Sequence, residues 1–121
     1  FEELLSSGYS FVSYPLRVVI RLYPREEKDF PARIAVSVSK RRFKRAVKRN
    51  RVKRLIRETY RLNKNILYSY IPEDKTMDIL FIYLHDEIFE YGKIEKAITG
   101  AIKKIRSYIE KDSGGDIADT H

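Results

Sequence analysis

The chain has 121 residues, with 25 Lys and Arg against 17 Asp and Glu for a net charge of +8, and it is 43% hydrophobic and 35% charged. That length and balance suit one domain with a modest core and exclude a wholly disordered chain. The absence of cysteine removes disulfides, thiolate metal sites and thiol nucleophiles, and no apolar run is long enough to span a membrane, so no membrane partner is expected.

In chain order, Phe1–Ser7 has apolar residues at 1, 4 and 5, a helical spacing, and Gly8 is a suitable helix end. Tyr9–Tyr14 and Leu16–Tyr23 read as strands. In the second, Leu16, Val18, Ile20 and Leu22 share one face and Arg17, Val19, Arg21 and Tyr23 the other. Pro24–Pro31 is a polar turn. Ala32–Ser39 reads as a third strand, with Ile34, Val36 and Val38 on one face and Arg33, Ala35, Ser37 and Ser39 on the other. That second face is small and polar, suited to stay open to a ligand.

Next comes KRRFKRAVKRNRVKRLIRETYR, Lys40–Arg61. The apolar positions change phase within it, so Lys40–Lys44 is expected to be a loop or first turn and Arg45–Arg61 an amphipathic helix about 25 Å long. Arg49, Asn50, Lys53, Arg54, Arg57 and Arg61 cluster opposite its apolar stripe. Asn63–Thr76 reads as a polar connection, Met77–Leu84 as a fourth strand, and Tyr91–Ile109 as a helix whose stripe includes Tyr91, Ile94, Ile98, Ile102, Ile105 and Tyr108. Residues 112–121 look like a disordered tail after a single domain spanning 1–111. The order helix, three strands, helix, strand, helix suggests an α+β sandwich.

The charge is concentrated in one place. Ala32–Arg57 holds 12 bases and no acid, while the remainder holds 13 bases against 17 acids. A solvated helix normally relieves like charge with acids at i+4. A block without any points to a polyanion as its counterpart, and arginine suits phosphate because its planar donors fork onto two oxygens. His85 and His121 lack metal-ligand spacing. Asp74, Asp78, Asp86 and Glu87 flank a strand without the pattern of a nuclease's metal carboxylates, and they read as surface acids.

Gly8, the Val38-Ser39-Lys40 segment and AVKRNRVKRLIRETYR, with its Arg49-Asn50-Arg51 triplet, together resemble the protein subunit of bacterial ribonuclease P. The resemblance covers roughly Phe1–Lys111. It implies a two-layer αβββαβα sandwich of the ribosomal-protein-S5-domain-2-like kind, with a left-handed βαβ crossover. It also implies a protein without a catalytic site, monomeric when free and cytoplasmic in a bacterium. Such a protein binds the ribonuclease P RNA and the 5′ leader of precursor tRNA, and it takes no cofactor of its own, the Mg²⁺-dependent chemistry belonging to the RNA. By position, Arg49, Asn50, Lys53 and Arg57 would face the leader and Arg51 and Arg54 the RNA subunit, with Lys40, Arg41, Arg42, Arg45 and Arg61 adding to the RNA-binding surface. The leader cleft would be lined by Phe1, Leu5, Arg17, Val19, Ala35, Ser37 and Ser39. The chain departs from the family where Leu5 and Val19 stand at positions that can be aromatic, and where His85-Asp86 replaces a basic residue. A ribosomal-type RNA-binding protein is the alternative reading, with a protein-only nuclease third.

Overall fold

The computed structural model describes the backbone of residues 8–119 and the side chains of residues 8–111. The expected first helix, Phe1–Ser7, lies outside the described residues. Four strands follow one another around two helices: β1 (Tyr9–Ser13), β2 (Leu16–Pro24), β3 (Ala32–Ser37), α1 (Ala46–Tyr70), β4 (Lys75–Tyr83) and α2 (Tyr91–Asp119). The sheet order is β1-β2-β4-β3. β2 pairs antiparallel with both β1 and β4, whereas β3 and β4 are parallel neighbours. Parallel strands need a crossover, and α1 supplies it.

The period-two alternation of the strands sets the layers. Leu16, Val18 and Ile20 of β2, Val36 of β3, and Met77, Ile79, Phe81 and Tyr83 of β4 form a core with Val52, Ile56, Tyr60 and Leu67 of α1 and with Ile94, Ala97, Ile98, Ala101, Ile102 and Ile105 of α2. Each such aliphatic side chain contributes about 1.5–3 kcal/mol on burial. Both helices therefore lie on one face of the sheet, α1 nearest β3 and α2 nearest β1. The other face carries a separate small cluster, Val19 and Leu80 with Ala35 and Ile82 beside them.

Four boundaries differ from the sequence expectation by two residues or more. α1 does not stop at Arg61 but continues to Tyr70, because Leu67 falls one heptad beyond Tyr60 and is fully buried. Asn63, which looks like a loop residue, donates from Nδ2 to the Thr59 carbonyl at 2.8 Å. The helix closes where Ile71 N–H reaches the Tyr68 carbonyl, one residue before Pro72. β4 starts at Lys75, since Thr76 and Lys75 still pair with Tyr23 and Pro24, and β3 ends at Ser37. α2 runs past Ile109 to Asp119, into the expected tail, with no proline to stop it. Gly100 lies against β1: a Cβ there would stand 3.0 Å from Ser13 Oγ, which donates to the Ala97 carbonyl at 2.7 Å.

Candidate nucleic-acid interface

The basic block begins in the turn between β3 and α1. Phe43, 4% exposed, drops from this turn into the core against Tyr83. Ser39 organises the turn: its carbonyl accepts from Arg42 N–H and Phe43 N–H, and its Oγ from Arg41 N–H at 3.0 Å. Arg49 closes the turn from the helix side. Its Nη1 donates to the Phe43 carbonyl at 2.8 Å and the Lys44 carbonyl at 2.9 Å, and the side chain is half-buried. Lys40–Lys44 is thus a turn, as the broken periodicity predicts, and the helix starts at Ala46.

That helix start is uncompensated. Arg45 occupies the N-cap position without a side-chain cap, and the first turn contains no acid. Free N–H groups and the helix dipole already make this end positive, and the surrounding cations add to it. Among the described residues, acids pair with only two cations of Lys40–Arg61. Arg42 meets Asp86 at 3.0 Å and Arg61 meets Glu58 at 2.6 Å. The Arg61 guanidinium holds the Glu58 carboxyl below its ordinary pKa, by hydrogen bond first and by charge second. Among the described residues, no acid pairs with Lys40, Arg41, Lys44, Arg45, Lys48, Arg51, Lys53, Arg54 or Arg57.

Helical geometry divides these cations into two edges. Asn50, Lys53, Arg57 and Arg61 line a shallow groove on α1, with Glu58 beside them. Arg51 lines a different groove, shared with Leu55 and the Ile88–Tyr91 segment that leads into α2. Arg54 stands between and borders both. Of the side chains expected to face the leader, Asn50, Lys53 and Arg57 line the first groove; of those expected to face the RNA subunit, Arg51 lines the second and Arg54 lines both.

The residues expected to line a cleft fall on the sheet face that α1 and α2 leave uncovered. Register places Val19, Leu80 and Ala35 in one row and Arg17, Ile82 and Ser37 in the next. Arg17, Ser37 and Ser39 are exposed and Ala35 is half-buried, whereas Val19 is only 2% exposed and offers no stacking surface. Ile82, absent from the sequence expectation, joins this floor because it is the cross-strand neighbour of both Arg17 and Ser37. Arg33 bridges Asp78 with two bonds, 2.8 and 3.2 Å, in the adjoining row. The row along β3 leads through Ser39 straight to Lys40 and Arg41. Phe1 and Leu5 lie outside the described residues.

Three aromatic positions behave differently from their sequence reading. Tyr91 is 40% exposed rather than part of the apolar stripe. Tyr108 is half-buried and its ring stacks on Tyr9 at 4.6 Å. His85 joins an aromatic cluster instead of standing alone: its ring stacks on Phe89 at 4.1 Å, and its Nδ1 lies 3.0 Å from the Tyr14 hydroxyl. No spacing rule links positions 14, 85 and 89. Among the described residues, no three His, Asp or Glu side chains come together to hold a metal ion, and no helix is long and apolar enough to cross a membrane.

The family model described as Ribonuclease P matches residues 1–106. The ribonuclease P protein component of Porphyromonas gingivalis is 43% identical over 105 residues, covering 86% of this chain and 76% of that protein. That of Clostridium botulinum is 38% identical over 99 residues, covering 79% and 81%. Among solved structures, the RNase P protein of Staphylococcus aureus superposes with a TM-score of 0.65 at 24% identity, covering 87% of each chain. The RNase P protein of Thermotoga maritima gives 0.65 at 23%, covering 86% of this chain and 89% of that one. At such identities these two structures speak for the fold.

Proposed function

The chain belongs to the ribonuclease P protein family, and on that premise we propose that it binds the catalytic RNA of ribonuclease P and the 5′ leader of precursor tRNA, assisting the endonucleolytic maturation of tRNA in the bacterial cytoplasm. One observation carries the reading. Nine cations of the turn and of α1 are left without acids on a helix whose own N-terminus is positive and uncapped. Phosphates are the ligand that relieves this repulsion, and counterions released from the RNA add to the affinity.

In this reading the two edges of α1 have different partners. Lys53, Arg57 and Asn50 hold the leader, the first two by phosphate contact. The leader runs extended across Ala35, Ser37 and Ile82, where the small Ala35 and Ser37 leave room for it. Arg51 and Arg54 hold the RNA subunit. Arg49 supplies charge but acts chiefly by fixing the turn that positions Lys40, Arg41 and Lys44. The RNA performs the Mg²⁺-dependent cleavage, and the protein, a monomer when free, contributes binding and orientation. Mature tRNA has no leader, so a protein that grips the leader raises affinity for precursor over product.

Reconstitution tests this. The chain, mixed with an in vitro transcribed bacterial ribonuclease P RNA, should raise the rate of 5′ cleavage of a precursor tRNA at low Mg²⁺ and tighten its binding relative to mature tRNA. Co-purification with ribosomes and no effect on the RNA's cleavage would favour a ribosomal role. Cleavage by the RNA-free protein would move the chemistry to the protein.

A further inference from the structure

Between α1 and the segment entering α2 lies a second groove, bordered by the two arginines assigned above to the RNA subunit. One wall is α1, with Arg51, Arg54 and Leu55; the other is Ile88–Tyr91. Its chemistry differs from that of the first groove, being apolar and aromatic at the centre and cationic on one side. Tyr91 is the ring available in it. Phe89 is already engaged, by the stacked His85 ring at 4.1 Å and by Lys93 Nζ at 4.4 Å from its centroid. Tyr91 has no stacked ring among the described residues and is 40% exposed. Its hydroxyl donates to Glu95 Oε2 at 3.2 Å, outside the groove's lining.

We propose that this groove takes one unpaired nucleotide of the ribonuclease P RNA, its phosphate held by Arg51 and Arg54 and its base laid against Tyr91, Leu55 and Ile88. The inference rests on the function proposed above and names how the Arg51 edge recognises its partner. Charge sets the polarity of the nucleotide. Glu90 stands on the Tyr91 wall and repels phosphate. Glu58, the acid of α1, is already engaged by Arg61 through both carboxylate oxygens. The α1 wall therefore keeps a net positive charge, and the opposite wall offers a surface for the base. Stacking on an aromatic ring tolerates any base, so the site selects for an unpaired nucleotide rather than for a sequence. The RNA subunit is the source because Arg51 and Tyr91 line this groove and not the one assigned to the leader.

The test separates ring from charge. Tyr91→Ala should weaken binding of the ribonuclease P RNA by roughly 5- to 150-fold, the range for losing one base–aromatic stack, with the slope of log affinity against log salt unchanged. Tyr91→Phe should bind within about twofold of the parent, since the ring and not the hydroxyl is used. Arg51→Ala should lower the slope by about 0.7–0.9, as one phosphate contact is lost. Independently of any variant's stability, RNA carrying 4-thiouridine should photo-cross-link to the peptide containing Ile88–Tyr91 of the unaltered protein. Wild-type affinity in a folded Tyr91→Ala protein, or cross-links confined to other peptides, would overturn the inference while leaving the proposed function standing. Failure of the unaltered chain to bind the RNA would overturn both.

Discussion

Arg49 tests whether the front of the basic helix is built as described. Position along the helix assigns it to RNA, yet its guanidinium donates to the carbonyls of Phe43 and Lys44. Arg49→Ala removes both bonds. The Lys44 bond is exposed, and water replaces it; the Phe43 bond is partly buried, and a charge-assisted bond of that kind contributes about 1.5–3 kcal/mol. A net loss of about 2 kcal/mol should lower the melting temperature by roughly 6–10 °C in a domain of this size. Arg49→Lys keeps the charge but lacks the planar fork that reaches two carbonyls, so it should melt nearly as low while retaining the salt dependence of RNA binding. Arg57→Ala, whose side chain is exposed and unpaired, should leave melting within about 1–2 °C of the parent while weakening precursor tRNA binding. Circular dichroism melts and filter binding on the same three proteins decide the matter. If Arg49→Ala and Arg49→Lys both melt with the parent, Arg49 is not holding the turn.

Three further outcomes follow from named contacts. Ser37→Leu, at an exposed position on the sheet face opposite α1 and α2, should leave melting nearly unchanged but abolish the preference for leader-bearing over mature tRNA; an unchanged preference in the folded variant would remove this face as the groove floor. Tyr60 buries a hydroxyl without a hydrogen-bond partner, Tyr68 lying near enough to couple to it but outside bonding geometry. Burial, then Tyr68, pushes its pKa above the ordinary value of 10.0. A raised pKa means that stability is complete below the unfolded value and is lost as pH rises past about 10. Tyr60→Phe should therefore gain about 1 kcal/mol near neutrality and lose less stability between pH 9 and 11 than the parent, by denaturant titration. Gly100→Ala gains about 1 kcal/mol of helix propensity but crowds Ser13 Oγ, so alone it should be close to neutral; in a Ser13→Ala background the gain should appear, and equal effects in both backgrounds would contradict the crowding.

Much of this architecture can be read from residue alternation. The inward faces of β2, β3 and β4 follow from period two alone, and so does the outward set Ala35, Ser37 and Ser39. The neighbourhood of the parallel strands β3 and β4 does not, since no local pattern encodes pairing across α1; it entered through the family resemblance. The far half of α1 was hidden by Asn63 and Asn65, poor helix formers whose preference is outweighed by the burial of Leu67. The candidate site divides in the same way. Its exposed cations were legible as a run without acids, and their separation into two edges follows from 100° per residue. Arg49's role was not, because it depends on where the chain six residues earlier folds back. Nor was the groove beside Tyr91, which is made by two segments more than thirty residues apart, and where Tyr91's place on an apolar stripe argued for burial.

The claim that unpaired cations on α1 and its turn exist to meet RNA phosphates is tested most directly by the salt dependence of binding to the ribonuclease P RNA. With about five phosphates engaged, log affinity should fall against log salt with a slope near −3.5 to −4.5. A slope near zero would mean that the basic face of the helix does not touch the RNA backbone, and would contradict the account at its base.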